Sequence, residues 1–155
     1  MNESGAYFSE CRKYRYVLWR IWDTQKPNVM FVGLNPSTAN ESTNDPTIRS
    51  VIRIAKQNGY GGVYMMNCFP FISTDPKGLD VEGKTAENQK WLTHIEERCK
   101  DVVFAWGNFP VVKRTGVDFI LQAMFPNAKA LQLNKNGSPK HPLYCKTDTE
   151  FVNLI

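Results

Sequence analysis

The chain has 155 residues, the length of one domain, and we expect a single domain over residues 1–155. Hydrophobic residues make up 42% and charged residues 22%, a globular composition that excludes wholesale disorder. The formal net charge of +4 suits a polyanionic partner, such as a nucleotide or a nucleic acid, but does not require one.

Strand signals recur along the chain. Residues 15–22 are rich in aromatic and β-branched side chains and predict a strand that is an antiparallel edge or half of a hairpin. The continuous apolar run over residues 29–34 is typical of a strand buried on both faces. Further strands are predicted over residues 63–68, 102–106 and 128–133.

Helix signals fall between these strands. Asp45 followed by Pro46 is typical of an N-cap and the first helical position, and apolar residues at helical spacing continue to a stop near Gly59. Further helices are predicted over residues 85–98, 112–124 and 147–155. Strands that alternate with helices predict an α/β fold in three layers, α/β/α, around a mainly parallel central sheet.

The cysteines and the chain start indicate the compartment. Cys11, Cys68, Cys99 and Cys145 form no C-x-x-C pair and fit neither a zinc module nor a secreted disulfide scaffold. No run approaches 18 apolar residues, and the first residues lack the apolar stretch of a signal peptide. We therefore expect a cytoplasmic protein with reduced thiols, no metal, no cofactor and no membrane association. An iron–sulfur cluster built from distant loops is the less favoured alternative.

The loops that follow the predicted buried strands predict the location of a site. In open α/β sheets, ligands bind outside the carboxyl ends of the strands. These loops carry asparagines, prolines and aromatic residues, at residues 33–40, 67–71, 106–110 and 134–144. Amides both donate and accept hydrogen bonds and suit the polar edge of a flat heterocycle, on which aromatic rings stack. The pattern favours nucleobase recognition over acyl or phosphoryl transfer, since no nucleophile elbow or phosphate-loop motif is present.

Several of these segments resemble the uracil-DNA glycosylase superfamily. Residues 33–37 (GLNPS) are similar to its first motif, and the strand that ends at Asn67 is similar to its base-binding strand. Residues 102–107 (VVFAWG) resemble a later strand that ends in Trp-Gly, and residues 141–143 (HPL) resemble the second motif. More narrowly, the chain resembles an uncharacterised bacterial and phage family, DUF1643, which implies no established activity.

The superfamily resemblance implies roles for individual residues. Asn35 stands where the attacking water is positioned, Asn67 would hydrogen-bond the base, and His141 would stabilise the leaving anion. Phe69 or Phe71 would stack on a flipped base. On the loop that includes the second motif, Lys140 would meet phosphates, and Leu143 is a candidate wedge.

The chain also departs from the superfamily pattern. Residues 136–139 (NGSP) offer a second alignment of the last motif, which would remove His141 from it. Residues 38–49 add Asn40, Asp45 and Arg49, which the glycosylase motif does not explain, and Arg49 is a candidate for binding a phosphate or carboxylate. A free nucleotide or another N-glycoside is therefore an alternative to base excision from DNA.

The first functional hypothesis is an N-glycosidic bond hydrolase that acts on a nucleobase in DNA or in a nucleotide, as a monomer or weak dimer. The second is a non-catalytic protein that binds nucleotides, modified bases or nucleic acid. The third is a small phage or mobile-element protein that binds another protein. The candidate site residues are Gly33, Asn35, Pro36, Ser37, Thr38, Asn40, Asp45, Arg49, Asn67, Phe69, Phe71, Trp106, Asn108, Lys140, His141 and Leu143.

Overall fold

The apolar runs of the chain form one seven-stranded sheet in the computed structural model, which describes residues 2–154. The strands are β1 (Glu3–Phe8), β2 (Arg15–Ile21), β3 (Asn28–Gly33), β4 (Gly62–Asn67), β5 (Asp101–Phe104), β6 (Lys129–Ala130) and β7 (Val152–Asn153). The helices are α1 (Pro46–Gln57), α2 (Thr85–Glu96), α3 (Pro110–Thr115) and α4 (Val117–Met124), and a 3₁₀ turn covers Pro142–Tyr144.

The sheet is mixed, with the strand order β1-β2-β4-β3-β5-β6-β7. The four central strands, β4, β3, β5 and β6, are parallel to one another. The three outer pairings, β1 with β2, β2 with β4 and β6 with β7, are antiparallel. Parallel pairing therefore accounts for three of the six strand contacts, and the protein is a mixed α/β protein whose sheet is parallel only at its centre.

Both faces of the sheet are covered by helices. Successive side chains of a strand point to opposite faces, so Met30 and Val32 belong to one apolar cluster, whereas Val29 and Phe31 belong to the other. Helices α2, α3 and α4 contribute to the first cluster, and α1 contributes to the second. This double burial explains why β3 is a continuous apolar run in the sequence.

The start of α1 agrees with the prediction. Asp45 is the N-cap, and its side chain accepts a hydrogen bond from the Ile48 N–H at 2.9 Å. Pro46 occupies the first turn, where a missing N–H costs nothing. The helix ends at Gln57, and Gly59 follows with a φ of +86°.

The predicted helix over residues 112–124 is wrong as a single element. It is divided into α3 and α4 at Gly116, whose φ is +75° and therefore left-handed. Glycine adopts this conformation without the steric penalty of a Cβ atom.

The predicted final helix over residues 147–155 is also wrong in its described part. Residues 152–153 form β7, which pairs antiparallel with β6, and Ile155 lies outside the described residues. The Phe151 ring stacks on the Tyr60 ring, with ring centres 5.6 Å apart. Tertiary contact with the sheet therefore outweighs local helix propensity in this segment.

The strand predicted over residues 15–22 is β2, and it forms half of a hairpin with β1, which is one of the two predicted alternatives. Among the described residues, no helix has both the length and the apolar character needed to cross a bilayer. The four cysteines are free thiols. In residues 2–154, no cluster of three or more His, Cys, Asp or Glu side chains is arranged to hold a metal ion.

Candidate functional site

A cavity of about 290 Å³ opens where β3 and β4 end and α1 begins. This volume is close to the lower end of the range for small-molecule sites, roughly 300–1,000 Å³. Its walls combine apolar side chains with a small number of polar groups. The lining residues are Arg15, Gly33, Leu34, Asn35, Ser37, Asp45, Pro46, Thr47, Ile48, Met65, Asn67, Ser73, Thr74, Pro76, Phe109, His141 and Leu143.

The parallel register of β3 and β4 sets Gly33 beside Asn67 at the inner end of this cavity. A Cβ atom on Gly33 would lie 3.0 Å from Asn67 Oδ1 and 2.8 Å from the Met65 methyl carbon. Real Cβ atoms essentially never come as close as 2.8 Å to a neighbour, and a distance of 3.0 Å is tighter than nine in ten of their contacts. Glycine at position 33 therefore leaves the space that the Asn67 side chain occupies.

Asn67 is the most deeply buried polar residue of the cavity, with 1% of its surface exposed. Its Nδ2 atom has no hydrogen-bond partner among residues 2–154. Its backbone carbonyl accepts a hydrogen bond of 2.9 Å from the Asn88 side chain on α2. Most buried amides are hydrogen-bonded, so an unpartnered amide in a cavity wall is available for a ligand.

Asn35 is oriented by three backbone carbonyls. Its Nδ2 donates to the carbonyls of Ser73 at 2.9 Å, Pro36 at 3.1 Å and Phe71 at 3.4 Å. Because a carbonyl only accepts, this arrangement fixes which end of the amide is the NH₂ group. The amide oxygen is left as an acceptor, and the same bonds tie the loop after β3 to the loop after β4.

Asp45 is buried, with both carboxylate oxygens bound to backbone amides. Oδ1 accepts from Ile48 N–H at 2.9 Å, and Oδ2 accepts from Ala39 N–H at 3.2 Å. The carboxylate therefore fixes the loop that enters α1. Two positively charged side chains, Arg15 and Arg20, are close enough for its charge to favour their protonated forms.

Arg15 was not predicted as a site residue. It is the first residue of β2, and because β2 runs antiparallel to β4, its beginning lies at the edge where β4 ends. Only 3% of the residue is exposed, and burial lowers the pKa of its guanidinium to about 10. Nη1 donates to the Ala39 carbonyl at 3.0 Å, while Nε has no partner in the described part of the chain.

His141 is half-buried in the cavity wall. Its Nδ1 accepts a hydrogen bond of 3.1 Å from the Leu143 N–H, so the neutral ring carries its proton on Nε2. Burial lowers the pKa of His141, and the nearby Asp45 carboxylate opposes that shift. The neutral imidazole is thus favoured, with Nε2–H as a hydrogen-bond donor.

The two alignments of the last motif lie in different places. Residues 136–139 form a turn whose Gly137 has a φ of +86°. The Asn136 side chain there is bonded to Ser138 and Asn108. None of these residues lines the cavity, whereas His141 does.

The structure brings seven of the sixteen predicted site residues into the cavity wall: Gly33, Asn35, Ser37, Asp45, Asn67, His141 and Leu143. Pro36 is adjacent and buried, and its carbonyl contacts Asn35.

The predicted aromatic residues lie elsewhere. Trp106 and Phe69 are 2% and 4% exposed and belong to the apolar core. Trp106 packs on Phe104, with ring centres 4.5 Å apart. The Phe71 ring contacts Tyr14, outside the cavity. Phe109 is the aromatic residue that lines the cavity.

The remaining predicted residues are held by other contacts or exposed. Arg49 is exposed and donates to the Asn44 carbonyl at 3.0 Å. The Lys140 ammonium contacts Gln132 at 3.4 Å, and Asn108 accepts from Asn136. The Asn40 side chain accepts from the N–H groups of Ser42 and Thr43, and Thr38 is exposed.

Sequence reasoning missed Arg15, Phe109 and the loop at residues 73–76. The sequence offers one signal for Arg15, which is a charged residue at the start of a strand rich in apolar side chains. Charged residues are rarely buried unless they are paired. Phe109 stands in a loop that the sequence already places at this edge. Nothing local distinguishes residues 73–76, which reach the cavity through the Asn35 side chain.

The fold and the cavity define a mixed α/β protein with a small, partly polar cavity at the carboxyl ends of its strands β3 and β4. The chain belongs to the family described as protein of unknown function (DUF1643), whose model matches residues 15–143. All residues that line the cavity lie in this range. Comparisons with curated proteins and with solved structures found no match.

Proposed function

We propose that the protein hydrolyses the N-glycosidic bond of a nucleobase in DNA or in a nucleotide. The observation that carries the proposal is the pair of amides, Asn35 and Asn67, in one cavity with a neutral histidine. The resemblance to the uracil-DNA glycosylase superfamily, including its fold, belongs to the same proposal.

In the proposed reaction, the oxygen of a water molecule attacks the anomeric carbon of the sugar. The bond between that carbon and the base nitrogen breaks, and its electron pair leaves with the base. The water loses a proton to the departing base or to solvent, so the products are a free base and a sugar with a hydroxyl group. The Asn35 amide oxygen would orient the water without acting as a strong base.

Negative charge develops on the leaving base, where hydrogen-bond donors lower the barrier most when water is excluded. Asn67 Nδ2 has no partner among the described residues, and His141 presents Nε2–H. These two donors suit a base carbonyl oxygen. Phe109, in the same wall, offers a ring on which the base would stack.

Oligonucleotides that carry uracil, thymine mismatches and modified pyrimidines test the proposal, together with a panel of nucleotides. Released base is measured by mass spectrometry, and abasic sites are scored as alkali-labile breaks. We expect release by the wild type, loss of release in Asn67→Ala, and no loss in Asn127→Ala, which removes an exposed amide outside the cavity. Release that is equal in wild type and Asn67→Ala would contradict the site.

A binding protein without catalytic activity is the second candidate. It is favoured by one observation: Asp45 is the acidic residue of the cavity lining, and both of its oxygens are bound to backbone amides. No lining carboxylate among residues 2–154 is therefore free to act as a base. Thermal stabilisation by a nucleotide without any released product would support this candidate over the hydrolase.

A further inference from the structure

Arg15 is a buried cation whose hydrogen bonds are largely unmade. Of its guanidinium nitrogens, Nη1 donates to the Ala39 carbonyl, while Nε is shielded from solvent without a partner among the described residues. Nη2 donates to no residue in that part of the chain either. Leaving a buried polar group unpaired is costly, more so when it is charged.

The two unpartnered nitrogens lie on the same edge of the guanidinium. Nε–H and one N–H of Nη2 point to the same side of the planar group, with the spacing of the two oxygens of a carboxylate or phosphate. Arg15 lines the cavity, so a ligand there lies against this residue. The fork suits a two-oxygen anion.

The local balance of charge points the same way. Two buried arginines, Arg15 and Arg20, stand near one buried carboxylate, Asp45. Glu41 is exposed and paired with Arg12 at 3.0 Å, so it does not offset the second buried cation. His141, the remaining titratable group of the lining, favours its neutral form. A bound anion would bring this buried cluster to neutrality.

The shape of the cavity limits how that anion is attached. Arg15 is 3% exposed in a space of about 290 Å³. A terminal oxyanion enters with one covalent connection, whereas an internal phosphodiester needs room for the strand to enter and to leave.

We propose that Arg15 binds a terminal oxyanion, a carboxylate or a phosphate, on a small nucleobase-containing ligand of this cavity. The inference rests on the proposed function for the nucleobase, while Asn67 and Phe109 are the groups available to that base. It narrows the substrate class from DNA or a nucleotide to a nucleoside with an anionic base or a mononucleotide.

Paired probes distinguish the two sources of the oxyanion. Uracil is compared with orotate, which adds a ring carboxylate, and uridine is compared with uridine 5′-monophosphate, which adds a terminal phosphate. Binding is measured by calorimetry at constant ionic strength, with inorganic phosphate as a further probe. We expect at least one anionic member to bind tenfold or more tightly than its neutral partner, which corresponds to about 1.4 kcal/mol.

Arg15→Met removes the fork and should abolish this preference. Arg53→Met is the matched control. It removes the same charge, but from an exposed position on α1 outside the cavity. We expect Arg53→Met to keep the preference. Preference for orotate alone identifies a ring carboxylate, and preference for the monophosphate alone identifies a terminal phosphate. Equal binding of each pair, or a preference that survives in Arg15→Met, would overturn the inference.

A second measurement keeps the test valid if Arg15→Met does not fold. The Nε–H resonance of Arg15 in the wild type should shift and exchange more slowly with water when the anionic probe binds. An unchanged resonance at saturation would overturn the inference.

Failure of this inference and failure of the proposed hydrolysis give different results. If the protein binds orotate or the monophosphate through Arg15 but releases no base, the anion site is supported and the proposed hydrolysis is contradicted. If Arg15→Met releases base as well as the wild type does, the proposed hydrolysis is supported and the anion site is contradicted.

Discussion

The two buried arginines of β2, Arg15 at its start and Arg20 near its end, differ in how many of their side-chain hydrogen bonds are made. Every guanidinium nitrogen of Arg20 has a partner: Nε donates to Asn44, Nη1 to Trp19, and Nη2 to Asn40 and Thr43. Within the described part of the chain, Arg15, five residues earlier on the same strand, makes side-chain hydrogen bonds through Nη1 alone. All guanidinium nitrogens of Arg20 are thus used to hold local structure, whereas Nε and Nη2 of Arg15 have no partner among residues 2–154.

The largest effect is expected from Arg20→Met. The carbonyls of Asn40 and Thr43 and the Asn44 amide oxygen lose their charged donor, so the loop before α1 loses three of its hydrogen bonds to β2. We expect the free energy of unfolding to fall by about 3–5 kcal/mol. Urea denaturation measures this change. A loss below about 1 kcal/mol would show that the loop does not depend on Arg20.

Gly33→Ala changes the cavity at the wall that Gly33 and Asn67 form. The new Cβ atom would lie 3.0 Å from Asn67 Oδ1, so the Asn67 amide must move. We expect a destabilisation of about 1–2 kcal/mol from overpacking, with a larger loss of ligand affinity. Denaturation and calorimetry are compared on the same variant. Unchanged affinity for the anionic probes would exclude Asn67 and Gly33 from the binding surface.

Acidification should destabilise the cavity wall through His141. Since its pKa in the folded protein is below the ordinary value of 6.5, the unfolded chain takes up the proton first as the pH falls. The stability that the neutral ring contributes is complete above pH 6.5 and declines as the pH falls from there toward the folded-state pKa. Protonation of Nδ1 would also end its acceptance of the Leu143 N–H.

The variant His141→Asn keeps a side-chain acceptor at the start of the 3₁₀ turn but does not titrate there. We expect its unfolding free energy to change less between pH 7 and pH 5 than that of the wild type. His94→Asn, at an exposed position on α2, is the control and should keep the wild-type slope. Identical slopes in wild type and His141→Asn would contradict the burial argument.

The smallest change in stability is expected from Arg15→Met without ligand. The substitution removes a buried charge with one hydrogen bond and retains an apolar chain, so the unfolding free energy should stay within about 1 kcal/mol of wild type. Urea denaturation of Arg15→Met and Arg20→Met under the same conditions compares the two unfolding free energies directly. Equal and large losses in both variants would show that Arg15 is structural.

The sequence predicts well those features that depend on nearest neighbours in the chain. The Asp45–Pro46 start of α1 and the apolar run of β3 are confirmed because capping and double burial leave local patterns. Gly116 interrupts a segment whose apolar spacing alone favours one helix. Residues 152–153 form a strand because β6 offers an open edge, which is not visible locally.

The site divides along the same line. Asn35, Asn67 and His141 were predicted because they follow apolar strands or stand in recognisable motifs, and the structure lines one cavity with them. Trp106 was misplaced because an aromatic residue after a strand suits a core as well as a ligand. Arg15 was missed because its position depends on β2 running against β4, which only the sheet topology specifies.

The antiparallel direction of β2 has a consequence for the chemistry of the cavity rim. An antiparallel neighbour delivers the first residue of its strand to the rim where the central strands finish. Exchanging that residue would alter the chemistry of the rim and leave the side chains of both apolar clusters in place. The chemistry of this rim therefore depends on a residue that lies outside both apolar clusters, at the start of β2.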